Sequence, residues 1–350
     1  MRKPFDIQNL VRPNVAKMTA YSSARDEFTD FDKEMVFLDA NENPFDNGVN
    51  RYPDPQQGKL RQLIATQKQL QEASILFGNG SDEVLDLIFR AFCIPGKDNV
   101  ISLPPTYGMY KVLASTNDIE NREVLLNQDF QPDIEAIFQN VDADTKLIFL
   151  CSPNNPTGNI IDAEKIEEIL TRFDGLVVID EAYIDFASAP SWLKKLDQFP
   201  NLIVTQTLSK AYGMAGIRLG MAFASEAIIQ VLKKIKPPYN VNELTQQKAV
   251  HHITKCDLIK SEINSILDNK DILYKALLDI EFVEKIFPSE ANFLLVRVDD
   301  AAKRYQQLIQ KGIVIRNRST QPLCENTLRF TIGTSRENQQ LIDALKEISR

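Results

Sequence analysis

Histidine is nearly absent from this chain: its 350 residues hold two, His251 and His252, side by side. A histidine-based metal centre or a Ser/His/Asp triad would have to use that one pair, which lies far from any Cys-x-x-Cys, so no metal site is expected. Cysteine is scarce too. Cys93, Cys151, Cys256 and Cys324 are scattered, which suits small buried thiols in a reducing compartment better than a disulfide frame. No stretch approaches the ~20 apolar residues a membrane span needs, and the start MRKPFDIQNLVRPNV has positive charge but no apolar core, so the expectation is a cytoplasmic protein without a membrane partner. Basic residues are in deficit, 40 Lys plus Arg against 48 Asp plus Glu, for a formal charge of -8. That sign is wrong for a chain that lives on phosphate backbones or anionic lipid, and nucleic acid is excluded as a partner.

What is present is ordinary globular composition, without repeats, low-complexity tracts or Gly/Ser linkers, in a length that suits about two domains. From about 75 to 224, short apolar runs alternate with helical patterns: SILF at 74–77, NVISL at 99–103, KLIFLCS at 146–152, GLVVID at 175–180, NLIVTQT at 201–207 and LGMAFA at 219–224. This is the rhythm of an α/β fold, a mostly parallel central sheet with helices on both faces. Ser81 before Asp82 and Glu83, and Asp162 before AEKIEEILTRF, read as helix starts. After Pro237 and Pro238 a helical stretch over roughly 242–280 opens a smaller α+β C-terminal domain, with strands at 291–298, GIVIRN and LRFTIG and a last helix from about 336. The expected division is 1–45 as an N-terminal segment packing on the small domain, 46–238 as the large domain and 239–350 as the small one.

Ligands in doubly wound sheets sit beyond the carboxyl ends of the strands, and three such ends carry chemistry. After KLIFLC comes the turn Ser152-Pro153-Asn154-Asn155-Pro156-Thr157-Gly158; after GLVVI come Asp180, Glu181, Ala182 and Tyr183; after LIVTQ come Thr207, Leu208, Ser209 and Lys210, with Arg218 further on. A lysine able to form a Schiff base, an aspartate able to keep a pyridine nitrogen protonated, hydroxyls beside the lysine and an arginine are the parts a pyridoxal phosphate site requires. The loop Gly78-Asn79-Gly80-Ser81-Asp82 adds backbone amides and a helix N-terminus suited to an anion. It is not a dinucleotide fingerprint, because Glu83 stands where G-x-G-x-x-G needs its third glycine.

These stretches, with Leu38-Asp39-Ala40-Asn41-Glu42-Asn43-Pro44, Arg51-Tyr52-Pro53-Asp54, Pro104-Pro105-Thr106-Tyr107-Gly108-Met109-Tyr110 and TLSKAYGMAGIRLG at 207–220, closely resemble the fold type I pyridoxal-phosphate aminotransferases, and among them the histidinol-phosphate branch. The resemblance runs from about residue 21 to the end. It implies a homodimeric transaminase of histidine biosynthesis that moves an amino group between histidinol phosphate and 2-oxoglutarate by a ping-pong route; an aromatic aminotransferase or a threonine-phosphate decarboxylase would keep the same core residues. It implies Lys210 as the Schiff-base and proton-transfer residue, Asp180 on the pyridine nitrogen, Asn155 and Tyr183 on the ring hydroxyl, and Tyr107 stacked on the ring. The cofactor phosphate falls to Gly80, Ser81, Asp82, Thr207, Ser209 and Arg218, with Tyr52 reaching it from the opposite subunit. Tyr21, Asn43, Arg316 and Arg329 would contact substrate. Trp192, Met109, Met214 and Met221 read as packing, and His251 and His252 as helix surface.

Overall fold

Runs such as LIFLC (147–151) and LVVI (176–179) are apolar at every position, and a strand whose two faces are both covered by helices can bury all of them. In the computed structural model, which describes residues 5–21 and 36–349, that is their fate. β1 (Ile75–Asn79), β2 (Asn99–Ser102), β3 (Glu120–Glu123), β4 (Thr145–Cys151), β5 (Leu176–Asp180), β6 (Leu202–Thr207) and β7 (Leu219–Ala224) form a seven-stranded sheet in the order β1-β7-β6-β5-β4-β2-β3. β2 to β6 pair in parallel, while β7 runs antiparallel to both β1 and β6. Along β4 the side chains alternate between two layers: Ile148 and Leu150 enter one apolar cluster, Leu147, Phe149 and Cys151 the other.

The helices α1 (Pro13–Lys17), α2 (Gly58–Lys68), α3 (Ser81–Phe92), α4 (Met109–Thr116), α5 (Ile134–Gln139), α6 (Ala163–Arg172), α7 (Glu226–Ile235) and α8 (Glu243–Ile253) are followed by α9 (Cys256–Leu278), α10 (Ala301–Gln310) and α11 (Ser335–Ser349). A second, antiparallel sheet in the order β10-β11-β9-β8 comprises β8 (Val283–Ile286), β9 (Phe293–Val298), β10 (Arg316–Asn317) and β11 (Thr327–Thr331). Among the described residues no helix is long and apolar enough to cross a membrane, and all four cysteines are free. Cys93, Cys151 and Cys324 are buried; Cys256, at the first position of α9, is exposed instead.

Three expectations need correction. The predicted helix over 242–280 is two helices, broken at Lys255 (φ -87, ψ 51), because α8 buries Ala249 and Ile253 towards α2 whereas α9 buries Leu273 and Leu277 against the small sheet. The start of the N-terminal segment, residues 5–16, packs on the large sheet's helices and not on the small domain. Ile7, Val11 and Val15 enter the same apolar layer as α3 and α7, and Arg12 donates from its backbone N to Ala91 O and from Nη1 to Arg90 O, both at 3.0 Å. Those carbonyls belong to the last turn of α3 and have no partner within the helix, so Arg12 satisfies them. Residues 22–35 of that segment lie outside the described ones. We place the division between the two units inside α9 and not at 238/239, since α8 packs with the large one.

β7 threads past the turn between β1 and α3 with no room to spare. Gly220, opposite Gly78 and Thr207, carries no side chain, and a Cβ there would collide with the backbone of Gly80 and Ser81. Gly220→Ala should therefore cost about 1–3 kcal/mol by overpacking, read as a lowered urea midpoint. Gly216→Ala, where a Cβ meets open space, should stay within about 0.5 kcal/mol of the parent.

Candidate active site

The carboxyl ends of β4, β5 and β6 open, with the β1–α3 turn and the edge of the small sheet, onto a cavity of about 530 Å3. At its floor Asp180, the last residue of β5, is 3 % exposed. Its Oδ2 accepts a hydrogen bond from the Tyr110 hydroxyl at 2.9 Å, and its Oδ1 accepts from Thr205 Oγ1 at 3.3 Å and Ala182 N at 3.2 Å. Burial pushes this carboxyl above its usual range, and the three donors pull it back. Tyr110 is itself wholly buried, stacked on Phe149 at 4.8 Å and edge-on to Tyr107. Tyr110 and Thr205 were not singled out from the sequence. The signal for Tyr110 was its place one helical turn beyond Tyr107.

Lys210 lies just beyond β6, its Nζ 5.7 Å from the centre of the Tyr183 ring. Burial lowers its pKa, as do the cations Arg329 and Arg218, while Asp180 and Asp82 act against them. Asn155, in the turn after β4, donates from Nδ2 to the Tyr183 hydroxyl at 3.4 Å and accepts a short hydrogen bond at Oδ1 from Arg329 Nη1. Tyr183 is fixed edge-on against Phe293 of β9. The large sheet and the small one thus meet at the Asn155–Arg329 bond.

At the β1–α3 turn Gly80 has φ +80, a conformation natural to glycine, and its amide donates to Arg218 O at 2.8 Å. A Cβ on Gly80 would run into the Arg218 guanidinium, so the glycine leaves space that the arginine fills. Arg218 also lies 3.6 Å from Asp82, which accepts from the Tyr107 hydroxyl at 3.0 Å. Thr207 and Ser209 link their hydroxyls at 3.0 Å beside this corner. With the N-terminus of α3, these groups form a cradle for a phosphate. A buried carboxylate, an amine of lowered pKa, a ring face from Tyr107 and an anion cradle in one cavity fit pyridoxal phosphate.

Of the residues expected from the sequence, Ser81, Asp82, Tyr107, Asn155, Asp180, Tyr183, Thr207, Ser209, Lys210, Arg218, Arg316 and Arg329 line this cavity, and Gly80 supports it from behind. Three do not reach it within this chain. Tyr21 is 74 % exposed, at the edge of the described segment. Asn43 is exposed and spends its Oδ1 on Phe45 N. Tyr52 stacks on Tyr239 at 4.4 Å, over a separate cleft. A further arginine, Arg318, lines the cavity and was missed. Its signal was the alternation of Arg316 and Arg318 in a strand, where every second residue shares a face.

Residues 33–345 match the model of the aminotransferase class I and II family. The chain is 64% identical over 343 residues to a histidinol-phosphate aminotransferase of Flavobacterium johnsoniae, covering 98% of each, and 63% identical over 346 residues to one of Christiangramia forsetii, covering 99% of each. Among solved structures it is similar to the histidinol-phosphate aminotransferase of Clostridium acetobutylicum (TM-score 0.79, 25% identity, 86% of this chain and 91% of that one). The enzyme of Sinorhizobium meliloti in complex with pyridoxal-5'-phosphate is as near (TM-score 0.78, 25% identity, 86% and 83%).

Two outcomes follow from the electrostatics. In the ligand-free chain, borohydride trapping of a small aldehyde on Lys210 should have its midpoint below the ~10.4 of a free lysine. Arg329→Gln removes a cation that disfavours the ammonium and should move that midpoint up, whereas Asp180→Asn removes an anion and should move it down; mass spectrometry of the labelled peptide across pH reads both. Separately, Tyr110→Phe strips a donor from a buried carboxylate and should cost about 1–3 kcal/mol in chemical denaturation.

Proposed function

Given that the chain belongs to the class I and II aminotransferases, we propose that it moves the amino group of L-histidinol phosphate to 2-oxoglutarate, yielding imidazole acetol phosphate and L-glutamate in histidine biosynthesis. The observation that carries this reading is the sharing of one cavity by Lys210, the buried Asp180 and the arginines Arg316 and Arg329, which face each other across β10 and β11. The first two serve amine chemistry, and the arginines serve an anionic substrate. Curated relatives of matching length with that activity support the choice of substrate.

The chemistry that pyridoxal phosphate supplies when bound is an aldehyde for the amino group and a ring that draws electrons from Cα. Lys210 would be the residue that carries that aldehyde, and its Nζ, when free, would be the base that moves the Cα proton. A neutral amine is needed for both tasks, and burial together with Arg329 and Arg218 shifts Lys210 in that direction. Asp180, its carboxylate kept in place by Tyr110 and Thr205, would keep the ring nitrogen protonated. Asn155 and Tyr183 would serve the ring hydroxyl and Tyr107 the ring. Gly80, Ser81, Thr207, Ser209 and Arg218 would hold the phosphate, with Asp82 beside Arg218. Arg316 and Arg329 take the substrate's anionic end, and because guanidinium suits phosphate and carboxylate alike, one site serves both half-reactions. We place Tyr52 at the cofactor phosphate of a second copy in a two-fold dimer, and assign Tyr21 and Asn43 to substrate in that assembly. A cytoplasmic location accords with the substrates.

A panel of amino donors with 2-oxoglutarate tests this. The purified enzyme should give its highest kcat/KM with histidinol phosphate and form one glutamate per donor consumed. A preference for aromatic amino acids, or carbon dioxide released from threonine phosphate without glutamate, would overturn the assignment. Lys210→Ala should lose about 10^3-fold or more in turnover, since it removes both the attachment point and the proton carrier.

A further inference from the structure

The small sheet presents its positive charge to the cavity in an arrangement that a folded protein does not adopt without reason. Arg316 and Arg329 are direct cross-strand partners, and Arg318 continues the ladder through its backbone N, which donates to Thr327 O at 2.9 Å. Alternation then puts Arg316, Arg318 and Arg329 on one face, while Leu328 and Phe330 point the other way into the small unit's core. Like charges directly opposed on a sheet are destabilising. Arg297 on the neighbouring β9 shows how such a charge is ordinarily settled: its guanidinium donates to Leu323 O at 3.1 Å and Glu325 O at 3.2 Å and lies 4.0 Å from the Glu325 carboxylate.

Arg318 has no such settlement. It is half-buried and lines the cavity, its Nε is buried without a partner, and no acceptor among the described residues takes its guanidinium protons. Arg329 has only the neutral Asn155 Oδ1, and its own Nε is likewise buried and unmatched. Burial and the other two arginines lower the pKa of Arg329 to about 10, with Arg318 weighing more than Arg316, and among the described residues no carboxylate figures in the influences on either Arg318 or Arg329. The large sheet supplies its own cradle for the cofactor's phosphate, around Gly80 and Arg218, which leaves the arginine ladder for a different anion.

We infer that Arg318 is a third substrate-binding guanidinium, which with Arg316 and Arg329 makes this end of the site selective for a doubly charged anion, a phosphate monoester or a dicarboxylate, over a single carboxylate. A phosphate dianion offers three oxygens and two charges to three forks, and it neutralises a cluster that one carboxylate leaves strongly positive. The inference deepens the transaminase reading given above and rests on it.

The test uses holoenzyme of Arg318→Gln, Arg318→Lys and, as control, Arg297→Gln. Donors are histidinol phosphate and L-histidinol, which differ only in the phosphate; glutarate without donor is titrated through the cofactor's absorbance. Arg318→Gln should lower kcat/KM for histidinol phosphate about 10- to 100-fold, as for loss of a charge-assisted contact, and leave L-histidinol within about threefold. Its dissociation constant for glutarate should rise about tenfold, and its melting temperature without anion should hold or rise, because an unmet buried cation has been removed. Arg318→Lys, which keeps charge but not the fork, should fall between parent and Arg318→Gln on the phosphate donor alone, and decides the matter if the glutamine variant does not fold. Arg297→Gln should match the parent in each ratio. An equal loss on both donors, or unchanged glutarate binding in Arg318→Gln, overturns the inference. Should the parent itself not prefer histidinol phosphate, the substrate reading falls, and glutarate binding still decides the role of Arg318.

Discussion

The structure turns on one buried charge. Asp180 sits at the end of the central strand of a sheet covered on both faces, where a carboxylate has almost no water and would ordinarily take up a proton. Three donors hold its two oxygens, and each comes from a different part of the large unit: Tyr110 from α4, Thr205 from β6 and the Ala182 amide from the turn beyond β5. Placing them requires the parallel register of β5 on β6, which sets Asp180 against Thr205, and the stacking of Tyr110 on Phe149 of β4. The fold therefore spends core positions on orienting one acid towards the cavity, and such an arrangement is worth keeping only where a cation comes to meet it.

The adjoining Glu181 makes the contrast. It is as buried as Asp180, yet its carboxylate faces away from the cavity and is satisfied by Trp192 N at 2.7 Å, Gln206 Nε2 at 2.8 Å and Ser191 Oγ at 2.5 Å. Two neighbouring acids at one strand end point to opposite faces, as alternation demands; one ties down the segment that holds Trp192, and the other is left for chemistry. Both are equally acidic in the sequence, and only the face distinguishes them.

That distinction marks how far the sequence could be read. Strands β4 to β6 and β7 were legible because their apolar runs are long enough to be buried on both sides, and the loaded ends of β4, β5 and β6 followed from where such strands deliver their last residues. The edge strands β3 and β8 were not legible, since ENRE and VEKI carry the polar residues that edges use and no apolar signal. The break between α8 and α9 depends on which neighbour each half packs against, a tertiary fact without a proline or glycine to announce it. Tyr110 was not singled out because its hydroxyl's partner lies 70 residues away. Arg318 was hidden because the strand expected at GIVIRN stops at Asn317, and the alternation with Arg316 that marks it continues past that run on a single backbone bond to Thr327. Tyr21, Asn43 and Tyr52 were chosen by resemblance, and among the described residues no contact brings them to the cavity.

The two sheets are electrically coupled where they meet. Arg329 belongs to β11, yet it holds Asn155 of the large unit and is, after burial, the largest influence lowering the pKa of Lys210. An anion that settles on the arginine face neutralises this cation. The ammonium of Lys210 is then disfavoured less: without a seated anion the cation keeps the lysine nearer its neutral form, and with one the affinity of Nζ for a proton rises. The same neutralisation relieves the repulsion between Arg316 and Arg329 across the ladder, so the small sheet gains stability from the event that prepares the lysine. In the proposed reaction, recognition of the anion and the proton affinity of Lys210 are thus two consequences of one charge, and the short, polar strand β10, which contributes almost nothing to the core, carries Arg316 to it.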